Sequence, residues 1–248
     1  MASKYTVFTS CAGHSSKSPG ACTAVHKEYD QNRLNNQAFI KAMKNRGYNV
    51  TDTTSNASSA SEILREQVRK ANKIGGGAKQ FDLSFHLNAS PGATGVEVCY
   101  VTERGKEMAE KIAGAIHEAT GLKNRGAKKR SDLYFLNATK AVANLIEVCF
   151  IDNKNDMAIL EKHRAKIANA IATAITGKKA SKESASKPQS KEVYTGPSIV
   201  EYLNSIGMSS SFSNRAHLAV SYGVVKNTES YTGSAAQNTA LLNKLRGN

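Results

Sequence analysis

Four side chains in the first 150 residues could together do hydrolytic chemistry at a metal ion: His14, Glu28, His86 and Glu147. Imidazole and carboxylate are good zinc ligands, and a catalytic zinc site uses three protein ligands with a fourth position open to water. His14, Glu28 and His86 supply such a set. Each also has an ordinary explanation. A histidine after a strand can be a surface or capping residue, and an acid in the first turn of a helix simply complements its dipole. Spacing alone also allows His26 in place of Glu28, or a thiolate site built from Cys11 or Cys22 beside His14. Glu147 is harder to explain away. It sits in "ANLIEVCFIDN" among Leu145, Ile146, Val148, Phe150 and Ile151. Burying an unpaired carboxylate costs several kcal/mol or forces it to hold a proton. Glu147 is therefore either half of a core ion pair or a group that handles protons.

The elements that must position these residues alternate along the chain. "KYTVFTS", "YNVTDT", "FDLSFHLNA", "GVEVCYV" and "NLIEVCFI" read as strands. Between them, "EYDQNRLNNQAFIKAMKNRG", "SSASEILREQVRKANK", "RGKEMAEKIAGAIHEATG" and a segment through "ILEKHRAKIANAIATAITG" carry apolar residues at helical spacing. Ser59 followed by Glu62 is a capping-box pattern. The alternation predicts an α/β fold with a mostly parallel or mixed central sheet flanked by helices. Sites in open α/β sheets form beyond the carboxyl ends of strands, where His14 and His86 fall.

"GKKASKESASKPQSKEV" has almost nothing to bury, which predicts a linker over 178–193 between a domain at 1–177 and a small one at 194–248. The latter carries three helical segments, "PSIVEYLNSIG", "NRAHLAVSYG" and "AAQNTALLNKLRG", so a small, mainly helical C-terminal domain is expected. Tyr-Thr-Gly at 194 and again at 231 hints at a repeat of 37 residues. So small a domain is marginal alone, and self-association through it is one expectation.

Composition limits the partners. No apolar run approaches the roughly 20 residues of a membrane-spanning helix, so no membrane insertion is expected. The N-terminal residues lack a basic segment followed by an apolar one, which predicts a cytoplasmic product without a signal peptide. Four cysteines then default to reduced thiols, with a Cys11–Cys22 disulfide as the alternative. The net charge is +14, of which +9 falls in 1–177, +3 in 178–193 and +2 in 194–248. A basic cluster, "KNRGAKKR", occupies 123–130 without an interleaved aromatic. That argues against nucleic acid, which would want a stacking platform, and a polyanionic wall or a membrane surface fits the charge equally well.

"AGHSSKSPGA", Glu28, "SFHLNAS" and "IEVCFIDNKND" together resemble the zinc-dependent N-acetylmuramoyl-L-alanine amidases that cleave peptidoglycan, over about residues 4–176. The resemblance implies Zn²⁺ held by His14, Glu28 and His86, with Glu147 as catalytic acid/base. It also implies substrate contacts from Asn88 and from Arg125 in "RGAKKRSDLYFL", and an acidic residue matched by Asp156. One departure is Ser15, where the family often has glycine. More loosely, the tail resembles wall-binding modules of phage and prophage lysins. An endolysin made in the host cytoplasm and released to the cell wall by a holin is the expectation. A host autolysin of mother-cell lysis or a zinc peptidoglycan endopeptidase are the alternatives.

Overall fold

Short β-branched and aromatic runs supply the strands. Val7–Ala12 (β1), Val50–Asp52 (β2), Gln80–Asn88 (β3), Val96–Tyr100 (β4), Asn124–Lys129 (β5) and Val142–Phe150 (β6) form one sheet in the order β2-β1-β3-β6-β4-β5. Every pair is parallel except β4 with β6, so the mixed central sheet expected from the alternation is what forms. The computed structural model describes residues 4–179, 194–205, 210 and 212–246. The chain divides into two compact units, 1–184 and 185–248. Most of the predicted linker, 180–193, lies outside the described residues.

Helices cover both faces of the sheet in the first unit. Glu28–Lys44 (α1), Glu103–Thr120 (α3) and Lys154–Thr176 (α5) pack over Phe8, Phe81, Leu83, Phe85, Val98 and Ile146. Ala60–Ile74 (α2) and the short Tyr134–Ala138 (α4) cover part of the other face, over Cys11, Cys99 and Leu145. Ser59 caps α2 by accepting from the Glu62 amide at 3.3 Å, as the pattern there predicts. Arg46 ties the end of α1 to α5, donating to the Ala42, Asn169 and Lys178 carbonyls and to Asn169 Oδ1 and Thr173 Oγ1. A nearly buried cation is tolerated there because carbonyl oxygens satisfy its donors.

Two elements are not evident from the sequence. β5 falls in the basic cluster, and only Ala127 of its residues packs on the core. It is an edge strand, where lysines are favoured because they discourage pairing with other chains. α4 is too short for helical periodicity to show. All four cysteines are free thiols, so the Cys11–Cys22 disulfide does not form.

The second unit contains Ile199–Ser205 (α6), Phe212–Ser221 (α7) and Ala235–Arg246 (α8). Its core gathers Ile199, Tyr202, Leu203, Ala216, Ala219, Tyr231, Leu241 and Leu242. Each Tyr-Thr-Gly copy precedes a helix, α6 after 194 and α8 after 231. Arg246 stacks over the Tyr202 ring and donates to the Tyr194 and Gly196 carbonyls, which fastens the end of the unit to its beginning. Among helical segments, no helix of the described residues is long and apolar enough to cross a membrane.

Candidate active site

The first part of the site lies at the carboxyl ends of the interior strands β1 and β3, where several elements meet. β1 ends at Ala12, and the chain turns through Gly13 to His14, a non-glycine residue at φ 66°. That left-handed conformation is held from outside. Arg33 of α1 stacks on the Tyr29 ring and donates to the His14 carbonyl at 3.2 Å and to the Ser55 carbonyl at 3.0 Å. Ser15, the departure from the family pattern, is buried, and its Oγ accepts from the Lys17 and Ser18 amides. The serine thus closes the loop. A Cβ on Gly13 would strike the His86 ring at 2.2 Å, and one on Gly20 would strike Glu28 Oε2 at 2.4 Å. Both glycines of "AGHSSKSPGA" are required by close approach.

Three donors converge in that space. Glu28 Oε1 lies 3.1 Å from His14 Nε2 and 3.0 Å from His86 Nδ1. Donor atoms of all three residues fall within 4.8 Å of one another. Zinc bonds of about 2.0–2.2 Å in tetrahedral geometry need donors roughly 3.3–3.5 Å apart, and the two glutamate–histidine separations are close to that. Glu28 is fixed further by the Leu87 amide on Oε1 at 3.1 Å and the Ala21 amide on Oε2 at 2.9 Å. The Leu87 amide points to the β1 side of β3, where β1 has already ended opposite Phe85, so it is free to donate. Burial alone would raise the Glu28 carboxyl, but hydrogen bonds and charge from His86 and His14 outweigh it and hold it well below the usual range. A carboxylate that stays ionised is what a cation needs.

The second part of the site is built on the strands. His86 pairs with Glu147 across β3 and β6, and Glu147 pairs with Glu97 across β6 and β4. Cross-strand partners share a face, so all three point away from the layer of α1, α3 and α5. Glu147 Oε2 is shut off from solvent without a hydrogen-bond partner among the described residues. Burial, then the negative charges of Glu28 and Glu97, push its pKa up to about 8, with Arg130 opposing. Without an ion the carboxyl holds its proton at neutral pH, and a nearby cation would lower it again.

The structure brings together His14, Glu28 and His86, with Glu147 beside His86. Asn88 and Arg125 meet on Glu97, at 2.9 Å and 2.7 Å. His26 is turned elsewhere, with Nδ1 3.7 Å from Glu161 Oε1. Cys11 is buried, donates to Ser84 Oγ, and has its pKa pushed up to about 12, chiefly by burial. Those alternatives to the His–Glu–His set are not formed. Asp156 is structural: it accepts from Thr94 Oγ1 and from the Gly95 and Phe150 amides, tying the approach to β4 to the end of β6. Glu97 is the residue the sequence did not single out. Its one signal was a charged residue inside the apolar strand "GVEVCYV".

A family model described as N-acetylmuramoyl-L-alanine amidase matches residues 11–177. The chain belongs to that amidase family. The catalytic domain of the CD27L endolysin targeting Clostridia difficile superposes with a TM-score of 0.63 at 30% identity, covering 71% of this chain and 99% of that one. The endolysin of Bacillus phage SPP1 is 34% identical over 161 residues, 61% of this chain and 57% of its own length. The L-alanyl-D-glutamate peptidase of Listeria phage A118 is 29% identical over 185 residues, 75% of this chain and 56% of its own length. The chain spans about half the length of four curated relatives that it matches, 44% to 57%. In this member of the family, the Gly-His loop, the helix-opening glutamate and the strand-end histidine come to one point.

Proposed function

We propose that the protein is a zinc-dependent N-acetylmuramoyl-L-alanine amidase, cutting the amide between muramic acid and the L-alanine of the peptidoglycan stem peptide as a phage or prophage endolysin. The observation that carries this is the convergence of His14, Glu28 and His86 beside a sequestered Glu147. Zn²⁺ held by those three side chains would supply Lewis-acid polarisation of the scissile carbonyl and bring the pKa of the attacking water towards about 7. Glu147 Oε2 accepts the proton of that water and delivers it to the departing alanine nitrogen. Asn88 and Arg125 flank this centre and contact substrate. Residues 1–177 act as the catalytic domain, 178–193 as a tether, and 194–248 as a cell-wall-binding module. Tethering raises the effective concentration of the amidase at the wall. Self-association through the module is compatible with this role. Synthesis in the host cytoplasm and holin-type release complete the proposal, with host autolysis as the alternative setting.

A second reading has one specific support, the relative named as an L-alanyl-D-glutamate peptidase, which cuts the next bond along the stem. Digestion of purified peptidoglycan followed by mass spectrometry separates the two. The amidase leaves new amines on L-alanine and newly freed lactyl carboxyls on muramic acid. New amines on glutamate would establish the peptidase.

A further inference from the structure

Glu97 is unexplained by the chemistry above, and its surroundings are organised around one partly exposed cation, Arg125. His86, Glu147 and Glu97 form a row across β3, β6 and β4. β5 extends the row. Val96 pairs with Asn124 and Val98 with Ala127, so two residues, Arg125 and Gly126, stand opposite the single Glu97. This is a bulge, and Gly126 takes φ 75° there with nothing within 4 Å of where a Cβ would be. Bulges beside active sites re-aim a neighbouring side chain. Here the side chain is Arg125, whose Nε donates to Glu97 Oε2 at 2.7 Å and whose guanidinium lies over the Phe150 ring at 5.0 Å. Asn88 donates to the other oxygen, Glu97 Oε1, at 2.9 Å.

The guanidinium is thus gripped from behind, and among the described residues its two terminal nitrogens have no partner. The side chain is 32% exposed, against 10% for Glu97. A planar fork fixed at Nε and open at both terminal nitrogens matches a carboxylate bidentately. Two strand spacings put the Arg125 backbone about 10 Å from that of Glu147, and Glu97 draws the guanidinium back towards Glu147. An extended peptide advances about 3.3–3.6 Å per residue. A stem peptide running from Glu147 across β4 towards β5 would therefore present its second residue to the fork.

We propose that Arg125, aimed by Glu97, binds a free carboxylate on the second residue of the stem peptide and makes the enzyme selective for it. Arg125 is the binding residue; Glu97 and Asn88 are positioning residues. The inference rests on the amidase reading. Its test uses two synthetic muramoyl peptides that differ only in whether the second residue carries a free carboxylate or its primary amide. The zinc-loaded full chain should hydrolyse the acid form with at least about tenfold higher kcat/KM, the difference lying in KM. Arg125→Gln should bring the two substrates within about twofold of each other. Arg125→Lys, which keeps the charge without the fork, should retain part of the preference, as should Glu97→Gln. Wild type that cuts both peptides equally at the muramoyl–alanine bond, or an Arg125→Gln enzyme that keeps the preference, overturns the proposal alone. Products cut at another bond overturn the amidase reading and this proposal with it.

Discussion

The two halves of the site are built in different ways. At the metal end, the three donors come from a loop, a helix start and a strand end, and they are held by a crowd of backbone contacts: the Leu87 and Ala21 amides on Glu28, Arg33 on the His14 carbonyl, and two glycines with no room for a Cβ. At the other end, Glu147, Glu97 and Arg125 stand on neighbouring strands, and the sheet's own register sets their spacing. The first half depends on packing that a single methyl group can upset. The second depends on hydrogen-bonded strands, which tolerate side-chain exchange. Changes at the metal end should therefore cost the ion itself, whereas changes on the strands should cost chemistry or selectivity with the ion retained.

The largest effect should come from His86→Ala, which removes one donor of three and leaves Glu28 facing a cavity. Zinc content measured by elemental analysis should fall to a small fraction per chain, with hydrolysis of purified peptidoglycan below detection. Retention of a full equivalent of zinc would break the contrast at its strongest point. Gly20→Ala should act more mildly but on the same quantity. Its Cβ would meet Glu28 Oε2 at 2.4 Å from a backbone at φ 73°, and disturbance of a ligand's support typically costs 10- to 100-fold in metal affinity. Competition against a chromogenic chelator would read this, with unchanged affinity as the contrary result.

A strand-end change should alter stability without disturbing the fold. Glu147 has its pKa raised to about 8 from an ordinary value of 4.5, so the native state holds the proton more tightly than the unfolded chain. The stability this gives is fully present below about pH 4.5 and is lost as pH rises through about 8. Metal-free protein should lose thermal stability across that window, and Glu147→Gln should flatten the loss, leaving the variant about 3–6 °C more stable at pH 8. A variant that melts below wild type at pH 8 would place Glu147 in a structural ion pair. The smallest expected effect is that of Gly126→Ala, where open space leaves only a backbone cost of about 1 kcal/mol. It should raise KM for the acid substrate a few-fold in steady-state kinetics, with zinc content unchanged.

The same difference explains what the sequence disclosed. His14, Glu28, His86 and Glu147 were legible because each is an unusual residue in its local setting: a histidine in a glycine–serine loop, an acid in an apolar strand. Their order along the chain also matched a known family. The alternation of strands and helices was legible for the same reason, as apolar periodicity. Glu97 and β5 were not. A glutamate alternating with valines is what any half-exposed strand shows, and only pairing with Glu147 gives it meaning. β5 is polar because it closes the edge of the sheet, so its residues imitate a charged loop. The "Arg-Gly" pair was visible, but that its glycine makes a bulge opposite one residue of β4 depends on a register no single strand reveals.

The central claim is that the grip on the ion and the movement of the proton belong to different side chains. Zinc content and turnover measured on the same preparation of Glu147→Gln test it most directly. About one zinc per chain, with turnover on purified cell wall reduced about 10²- to 10⁴-fold, is the result expected. Zinc lost along with Glu147, or turnover near that of the unaltered enzyme, would contradict it.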